Sequence, residues 1–190
     1  SERGTVNIDA NFTTTGKTVV SNGIMQMNGT IAGDLSLRAL GTLAGNVTVN
    51  GNVDFEGALH YEGCRLMPGS AADYGCITFG KSLNINKPVY IEANIGGGKA
   101  DKIVVKGNLA VTDTLTFTLI ASTDSNAELK GDYTLAEAEG ELTADVAMLK
   151  VRGLEGQPYR LKADGGKIVL SIPETRAAAT GVVWTGSENA

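Results

Sequence analysis

The sequence has few of the residues that build most catalytic and metal sites. It contains one histidine, one tryptophan and two cysteines among 190 residues. A zinc site needs several soft ligands at suitable spacing, and the single histidine, His60, lies on a predicted outward face. We therefore predict no metal and no other cofactor.

The sequence also lacks an excess of positive charge and any long apolar run. Its net charge is −5 and its acids are scattered, which argues against a nucleic-acid partner. No run approaches the roughly 20 apolar residues that span a membrane, so we expect no direct membrane insertion of this segment. There is no initiator Met and no signal peptide, and we interpret Ser1 as the start of a processed or excised piece of a longer chain.

Helical periodicity is almost absent, whereas a strand pattern is continuous. The 25 glycines and four prolines favour an all-β protein that is rich in corners. From Ile31 to Gly63 every odd-numbered residue is apolar or glycine, and the even-numbered ones are polar or small except Leu40. Because side chains of an extended chain alternate between two faces, this pattern indicates a β structure with one buried face.

A six-residue period overlies the alternation and predicts a single-stranded parallel β-helix, or β-solenoid. Large residues recur at positions 19, 25, 31, 37, 43, 49, 55 and 61, beginning with Val19, and small ones at positions 33 to 63. Short repeats of this kind are typical of stacked folds. If three sides make one coil, residues eighteen apart stack. The predicted pairs are Ile31 on Val49, Leu37 on Phe55, Leu43 on Tyr61, Asn28 on Asn46, Asp34 on Asn52 and Arg38 on Glu56.

The pattern divides the chain into four predicted segments. Residues 1–18 cover the N-terminal end, residues 19–120 form the β-helix, residues 121–172 form a C-terminal antiparallel cap, and residues 173–190 are a linker and the start of a truncated module. Strands at 159–163 and 167–172 flank Asp164-Gly165-Gly166, a sequence typical of a hairpin connection. Local patterns also predict strands at 83–85, 89–95, 102–105 and 109–111, and a strand at 182–186 that begins the truncated module.

Cys64 and Cys76 lie twelve residues apart around a turn-rich loop. We predict a disulfide, which would contribute on the order of 3 kcal/mol and fits an exported protein. The alternative is two half-buried free thiols.

The outward-facing polar residues are a candidate binding face, consisting of Asp34, Arg38, Asp54, Glu56, His60 and Glu62. Acids gathered on a β-helix could form a calcium or sugar groove. The alternative, which we favour, is a solvated face that keeps the solenoid soluble. The residues show no catalytic constellation, and we predict that the segment is not an enzyme.

The stretch from Leu66 to Leu119 resembles the C-terminal passenger region of autotransporters and their associated strand repeats. The resemblance rests on the order of Pro68-Gly69-Ser70, a short strand, a longer strand and the segment from Asp101 to Leu109, and it covers residues 66 to 172. It implies a right-handed parallel β-helix, export, surface display and a C-terminal segment that acts as folding nucleus and cap. It also implies that the Asp101 carboxylate secures a turn. In place of a membrane barrel we expect another repeat to follow, because Trp184-Thr185-Gly186 resembles the opening of one.

Residues 23–63 separately resemble bactofilins, cytoplasmic β-helical polymers with glycine-rich six-residue periodicity. Three functions follow from these features. Our leading hypothesis is a structural or adhesive, monomeric segment of a larger secreted or bacterial cell-surface protein, which serves as a spacer and binds a glycan or host surface. The alternatives are a β-helical polysaccharide-processing enzyme and a bactofilin-like polymer.

Overall fold

The protein is all-β, and most of its strands pair in parallel. The computed structural model describes residues 4–13, 15–56, 63–70, 74–121 and 129–174. Within these ranges the helical structure is a single 3-10 turn at Val146–Met148, which begins at the Asp145 cap. No helix in the described part of the chain has the length and hydrophobicity needed to traverse a bilayer.

The strands of the described residues form four sheets. The eight-stranded sheet contains β1 (Thr5–Ile8), β3 (Ile24–Met27), β6 (Thr42–Gly45), β9 (Cys64–Pro68), β12 (Val89–Gly96), β13 (Lys99–Ala100), β16 (Leu115–Ala121) and β19 (Leu149–Arg152). The seven-stranded sheet contains β4 (Gly29–Ile31), β7 (Val47–Val49), β10 (Cys76–Phe79), β14 (Lys102–Val105), β17 (Gly131–Ala138), β20 (Arg160–Asp164) and β21 (Lys167–Ile172). One three-stranded sheet contains β2 (Thr18–Ser21), β5 (Leu35–Arg38) and β8 (Val53–Glu56), and the other contains β11 (Leu83–Ile85), β15 (Leu109–Val111) and β18 (Leu142–Ala144).

The chain visits the sheets in rotation. Strands β3, β4 and β5 lie in the eight-, seven- and three-stranded sheets, and β6, β7 and β8 return to them in the same order. Each of these later strands pairs in parallel with the earlier strand of its sheet. This arrangement is compatible with a β-helix, because the chain returns to the same sheet without reversing direction.

Two of the predicted eighteen-residue stacks on the large inward positions are confirmed, and the third is wrong. Ile31 pairs with Val49 and Leu37 with Phe55. Leu43 pairs with Leu66 and not with Tyr61. We call the interval between neighbouring strands of one sheet a circuit, and the circuit from β6 to β9 is five residues longer than the one from β3 to β6. Tyr61 itself lies outside the described residues.

The inward residues form one continuous apolar core. Ile31, Leu37 and Val49 are fully buried, and burying each such side chain contributes roughly 1.5–3 kcal/mol relative to leaving it in water. Val19 was predicted to point inward, but it is 47% exposed and Val20 is buried instead. Val20 pairs with Leu37, seventeen residues along, and Asn22 with a φ of 53° shifts the alternation before β3.

Later circuits are longer. Val89 pairs with Leu115, Leu83 with Leu109 and Ile77 with Ile103, twenty-six residues along in each case. The last parallel pairings, of β17, β18 and β19 with β14, β15 and β16, span longer intervals again. We predicted that residues 121–172 form an antiparallel cap, but parallel pairing continues within them as far as β19.

Antiparallel pairing is found at the C-terminal hairpin and at a short β12–β13 contact. Strand β21 pairs with β17 on one side and with β20 on the other. Gly165 and Gly166 connect β20 to β21 with φ values of 57° and 76°, which confirms the predicted hairpin. The predicted strand at 182–186 lies outside the described residues.

The predicted disulfide is absent, and both cysteines are free. Cys64 begins β9 and points into the core, where its thiol donates to the Leu37 carbonyl at 3.0 Å. Cys76 begins β10 in a different sheet, where Ile77 and Phe79 point inward and Cys76 points outward. The short separation in sequence did not predict the pairing of the cysteines, because the Cys64 side chain points into the core and the Cys76 side chain points away from it. Burial raises the pKa of the Cys64 thiol to about 11, so it is protonated at neutral pH.

Candidate functional site

The predicted outward face lies on the sheet formed by β2, β5 and β8. Adjacent strands place Arg38 beside Glu56 and Ser36 beside Asp54, so the predicted proximity of Arg38 and Glu56 is confirmed. Asp34 precedes β5, and its Oδ1 accepts hydrogen bonds from the backbone N–H of Asn52 at 2.7 Å and from its side-chain amide at 3.1 Å. The predicted Asp34–Asn52 stack is therefore also confirmed.

The charges on this face neutralise one another. Glu56 accepts the Ser36 hydroxyl at 2.6 Å and lies 2.9 Å from Arg38 Nε. Lys17, which sequence analysis did not identify, lies 3.0 Å from Asp54 and 3.7 Å from Glu56. The Ser36 hydrogen bond, assisted by the charges of Arg38 and Lys17, lowers the pKa of Glu56 against the opposing effect of desolvation.

This pairing favours a solvated structural face over an acidic groove. Each acid of the predicted set that the structure describes already has a cation or a backbone N–H as its partner. His60 and Glu62 lie outside the described residues. Within the described ranges, no group of three or more His, Cys, Asp or Glu side chains has the arrangement needed to hold a metal ion.

Asp101 is a buried carboxylate that links the end of β12 to the residue before β10. Its Oδ1 accepts the Gly75 backbone N–H at 2.6 Å, and its Oδ2 accepts the backbone N–H and side-chain amide of Asn94 at 2.8 and 2.7 Å. Burial raises the pKa of Asp101, although these hydrogen bonds oppose the shift. Asp101 and Asn94 flank the Gly97-Gly98 turn between β12 and β13, so the carboxylate secures this turn, in agreement with the interpretation of the sequence.

A different surface combines charge with shape: the outward face of the eight-stranded sheet. The Tyr90 cleft, as we call it, is formed by Leu40, Arg65, Tyr90, Glu92, Thr118 and Arg152 and has a volume of about 300 Å³. Alternation in β12 directs Val89 and Ile91 inward and Tyr90 and Glu92 outward. Parallel pairing sets Arg65 of β9 beside Tyr90.

Two guanidinium groups lie against the Tyr90 ring. Arg65 Cζ is 6.0 Å and Arg152 Cζ is 5.6 Å from the ring centroid, within the range of cation–π attraction. Glu92 lies 3.9 Å from Arg65 and is the carboxylate that the described residues contribute to the cleft. These residues therefore supply two positive charges and one negative charge beside the ring of Tyr90.

A second depression adjoins the first. The Met67 groove, formed by Gln26, Ala44, Met67, Pro68, Asn94 and Ile120, has a volume of about 270 Å³ and shares Glu92 with the Tyr90 cleft. Its lining is mainly apolar, and Ile120 is 42% exposed. Side by side, the two depressions form an extended surface across several strands.

Sequence analysis did not identify this surface. The outward parity of Tyr90 and Glu92 was visible in the predicted strand 89–95, and an aromatic residue on an outward position was the available signal. The proximity of Arg152 depends on the register from β12 through β16 to β19, which follows from circuit lengths that no local motif encodes.

Comparison with known proteins yields no relative. No protein-family model, curated protein or solved structure matches the chain.

Proposed function

We propose that this chain is a non-catalytic structural and adhesive segment of a larger secreted or cell-surface protein. In this proposal the segment is a right-handed parallel β-helix closed by a C-terminal antiparallel hairpin. The observation that carries the proposal is the rotation of successive strands through three sheet positions with parallel register. Such stacking builds an elongated body whose length grows with each circuit, which suits a spacer.

The resemblance to autotransporter passengers supports export and surface display. The short strand, the longer strand and the strand after Asp101 follow the Pro68-Gly69 turn in the order that the resemblance describes, as Cys76–Phe79, Val89–Gly96 and Lys102–Val105. The hairpin of β20 and β21 occupies the C-terminal position at which such passengers carry a cap. The right-handed sense that we propose for the β-helix is likewise supported by the resemblance to autotransporter passengers.

The outward surface supports adhesion. The Tyr90 cleft and the Met67 groove together offer cations, an aromatic ring, amides and apolar side chains on one open face. Function resides in such sites and not in the fold alone, so a glycan or host surface is the partner that we propose.

The experiment that tests this proposal is protease accessibility of the full-length protein in its own cells. An epitope tag next to this segment should be lost when intact cells are treated with protease, while a cytoplasmic marker survives. Protection of the tag in intact cells and in the culture medium, with digestion after lysis alone, would contradict secretion and display.

A second candidate, a bactofilin-like polymer, is favoured by two observations. Both cysteines are free, and the N-terminal end exposes Val6 and Val19, at 61% and 47%. This candidate predicts a protected tag in the same experiment, together with filaments of the purified chain in electron micrographs. Unassembled particles would contradict it.

A further inference from the structure

The Tyr90 cleft has the chemistry of an oxyanion receptor. Arg152 lies against Tyr90, and the salt bridges among the described residues include Arg65 but not Arg152. Other cations on the surface are more fully engaged, since Arg38 and Lys17 both contact carboxylates at 3.0 Å or less. With respect to the described residues, the N–H donors of the Arg152 guanidinium are therefore available for an external anion.

The geometry of arginine narrows the choice of anion. A guanidinium is planar and presents paired N–H donors that match carboxylate and sulfate groups, and stacking on an aromatic ring restrains its plane. Two such groups share one ring here, so little side-chain freedom remains to be lost on binding. A planar or tetrahedral oxyanion that reaches into the cleft fits these donors.

The surroundings of the cleft indicate an extended, hydroxyl-rich ligand. Thr118 lines the cleft, and Gln26 lines the adjoining groove beside Met67 and Ile120. A chain lying across the sheet meets a new strand about every 4.8 Å, a spacing close to the length of one sugar unit. Neutral polar groups interleaved with apolar side chains suit the two kinds of surface on a sugar ring.

We propose that the Tyr90 cleft binds an acidic sugar of a polysaccharide, with Arg65 and Arg152 holding its carboxylate or sulfate and the Met67 groove receiving the neighbouring units. This inference rests on the proposed adhesive function and gives it a ligand class. Glu92 then has a definite role: it orients Arg65 and, being an anion itself, limits the affinity of the cleft.

The test is calorimetric titration of the purified chain with an oligogalacturonate hexamer. A neutral galactan hexamer, a hexaglutamate peptide, a sulfated oligosaccharide and inorganic sulfate serve as comparison probes. The oligogalacturonate should bind, the neutral hexamer should bind at least tenfold more weakly, and affinity should fall as salt is added because exposed charges are screened.

Variants give the test its sign. Arg152→Gln should weaken oligogalacturonate binding about tenfold, since one charge-assisted hydrogen bond is lost. Glu92→Gln should strengthen it about threefold through relief of repulsion of the size measured for exposed charge pairs. Arg160→Gln, which removes the same charge from β20 in the seven-stranded sheet, should change nothing. Far-UV circular dichroism establishes that each variant is folded.

Several results would overturn the inference. They are absent binding, equal binding of the neutral hexamer or the hexaglutamate, equal effects of Arg152→Gln and Arg160→Gln, weaker binding by Glu92→Gln, or binding of sulfate ion alone. Preference for the sulfated oligosaccharide over the oligogalacturonate identifies sulfate as the oxyanion within the same proposal. The outcome is separable from that of the proposed function: a surface-exposed protein that binds no acidic sugar overturns this inference alone, and a sugar-binding protein retained inside cells overturns only the display.

Discussion

Two regions of the molecule differ in how far the chain runs before it returns to the same sheet and in how its corners are stabilised. In the regular region, residues 18–56, paired residues lie seventeen or eighteen positions apart. In the wide region, residues 64–152, the intervals reach twenty-six and more. In the regular region the same kind of short corner recurs from one circuit to the next, whereas in the wide region corners are stabilised by individual side chains that do not recur.

The corners show this difference most clearly. In the regular region, the Asn28 side chain accepts the backbone N–H of Asn46, and the Asp34 side chain accepts that of Asn52, eighteen residues along in each case. In the wide region, the buried carboxylate of Asp101 accepts hydrogen bonds from both Gly75 and Asn94. The corners of the regular region are thus stabilised by several side chains that each make a similar contribution, whereas in the wide region Asp101 alone stabilises two segments.

The largest expected effect follows from this dependence on Asp101. Asp101→Ala should lower the free energy of unfolding by about 4 kcal/mol, because it leaves the half-buried N–H groups of Gly75 and Asn94 without their charged acceptor. Urea denaturation followed by circular dichroism measures the change.

Asn28→Ala is the matched control in the regular region. It removes the exposed acceptor of the Asn46 N–H at 3.2 Å and a donor to Asp9, and it should cost about 1 kcal/mol. Equal losses for the two variants would show that the wide region does not depend on Asp101 as we infer.

The second expected effect separates crowding from backbone conformation. Gly45 in the regular region and Gly98 in the wide region both have left-handed backbones, with φ values of 101° and 76°. A Cβ on Gly45 would lie 2.1 Å from the Met27 carbonyl oxygen, whereas one on Gly98 would meet nothing within 4 Å. Gly45→Ala should therefore cost about 3 kcal/mol, from conformational strain plus a backbone clash, and Gly98→Ala about 1 kcal/mol.

Thermal unfolding of both variants tests this comparison. Both variants carry a conformational cost, so the excess loss in Gly45→Ala reports the backbone clash together with the larger φ of Gly45. If Gly98→Ala destabilised the protein as much as Gly45→Ala, tight stacking would not be what distinguishes the regular region.

The same contrast explains what could be predicted from sequence. In the regular region the alternation and the six-residue period encode both parity and circuit length, so the pairs Ile31–Val49 and Leu37–Phe55 were predicted correctly. In the wide region local strand signals still predicted β11, β14 and β15 at their observed bounds. Their partners could not be assigned, because the length of a turn leaves no periodic trace.

The candidate site was missed for that reason. Cys64 is inward although it is even-numbered, so the alternation shifts between Glu56 and Cys64 and every later assignment by parity must start again. Tyr90 and Glu92 could be assigned to one outward face, but Arg152 joins them through two successive registers. The charged face of the regular region was predictable as a set of neighbours, and its neutralisation by Lys17 was not, since Lys17 precedes the repeat.

The smallest expected effect concerns the pH dependence of the outward charges. Glu137 in the wide region lies 3.4 Å from Lys102 and 3.5 Å from Lys167. Partial burial raises the pKa of Glu137, but the ammonium groups of Lys102 and Lys167 lower it by a larger amount, so the net shift of the pKa is downward. An acid with a lowered folded pKa stabilises the protein above its unfolded pKa and loses that contribution as pH falls through its folded pKa.

Glu137→Gln should therefore cost roughly 0.5 kcal/mol at pH 7, the size expected for exposed ion pairs. The difference from the parent protein should shrink as pH falls below 4.5, the ordinary value for glutamate, and should also shrink in high salt. Denaturation curves across this pH range measure it, with Glu141→Gln as a control that removes a charge outside the Lys102–Glu137–Lys167 ladder. A Glu137 difference that persisted unchanged at low pH would show that the side chain acts through packing. The longer circuits would then be stabilised on their outer face by contact area, whereas the Glu56 network of the regular region depends on charge.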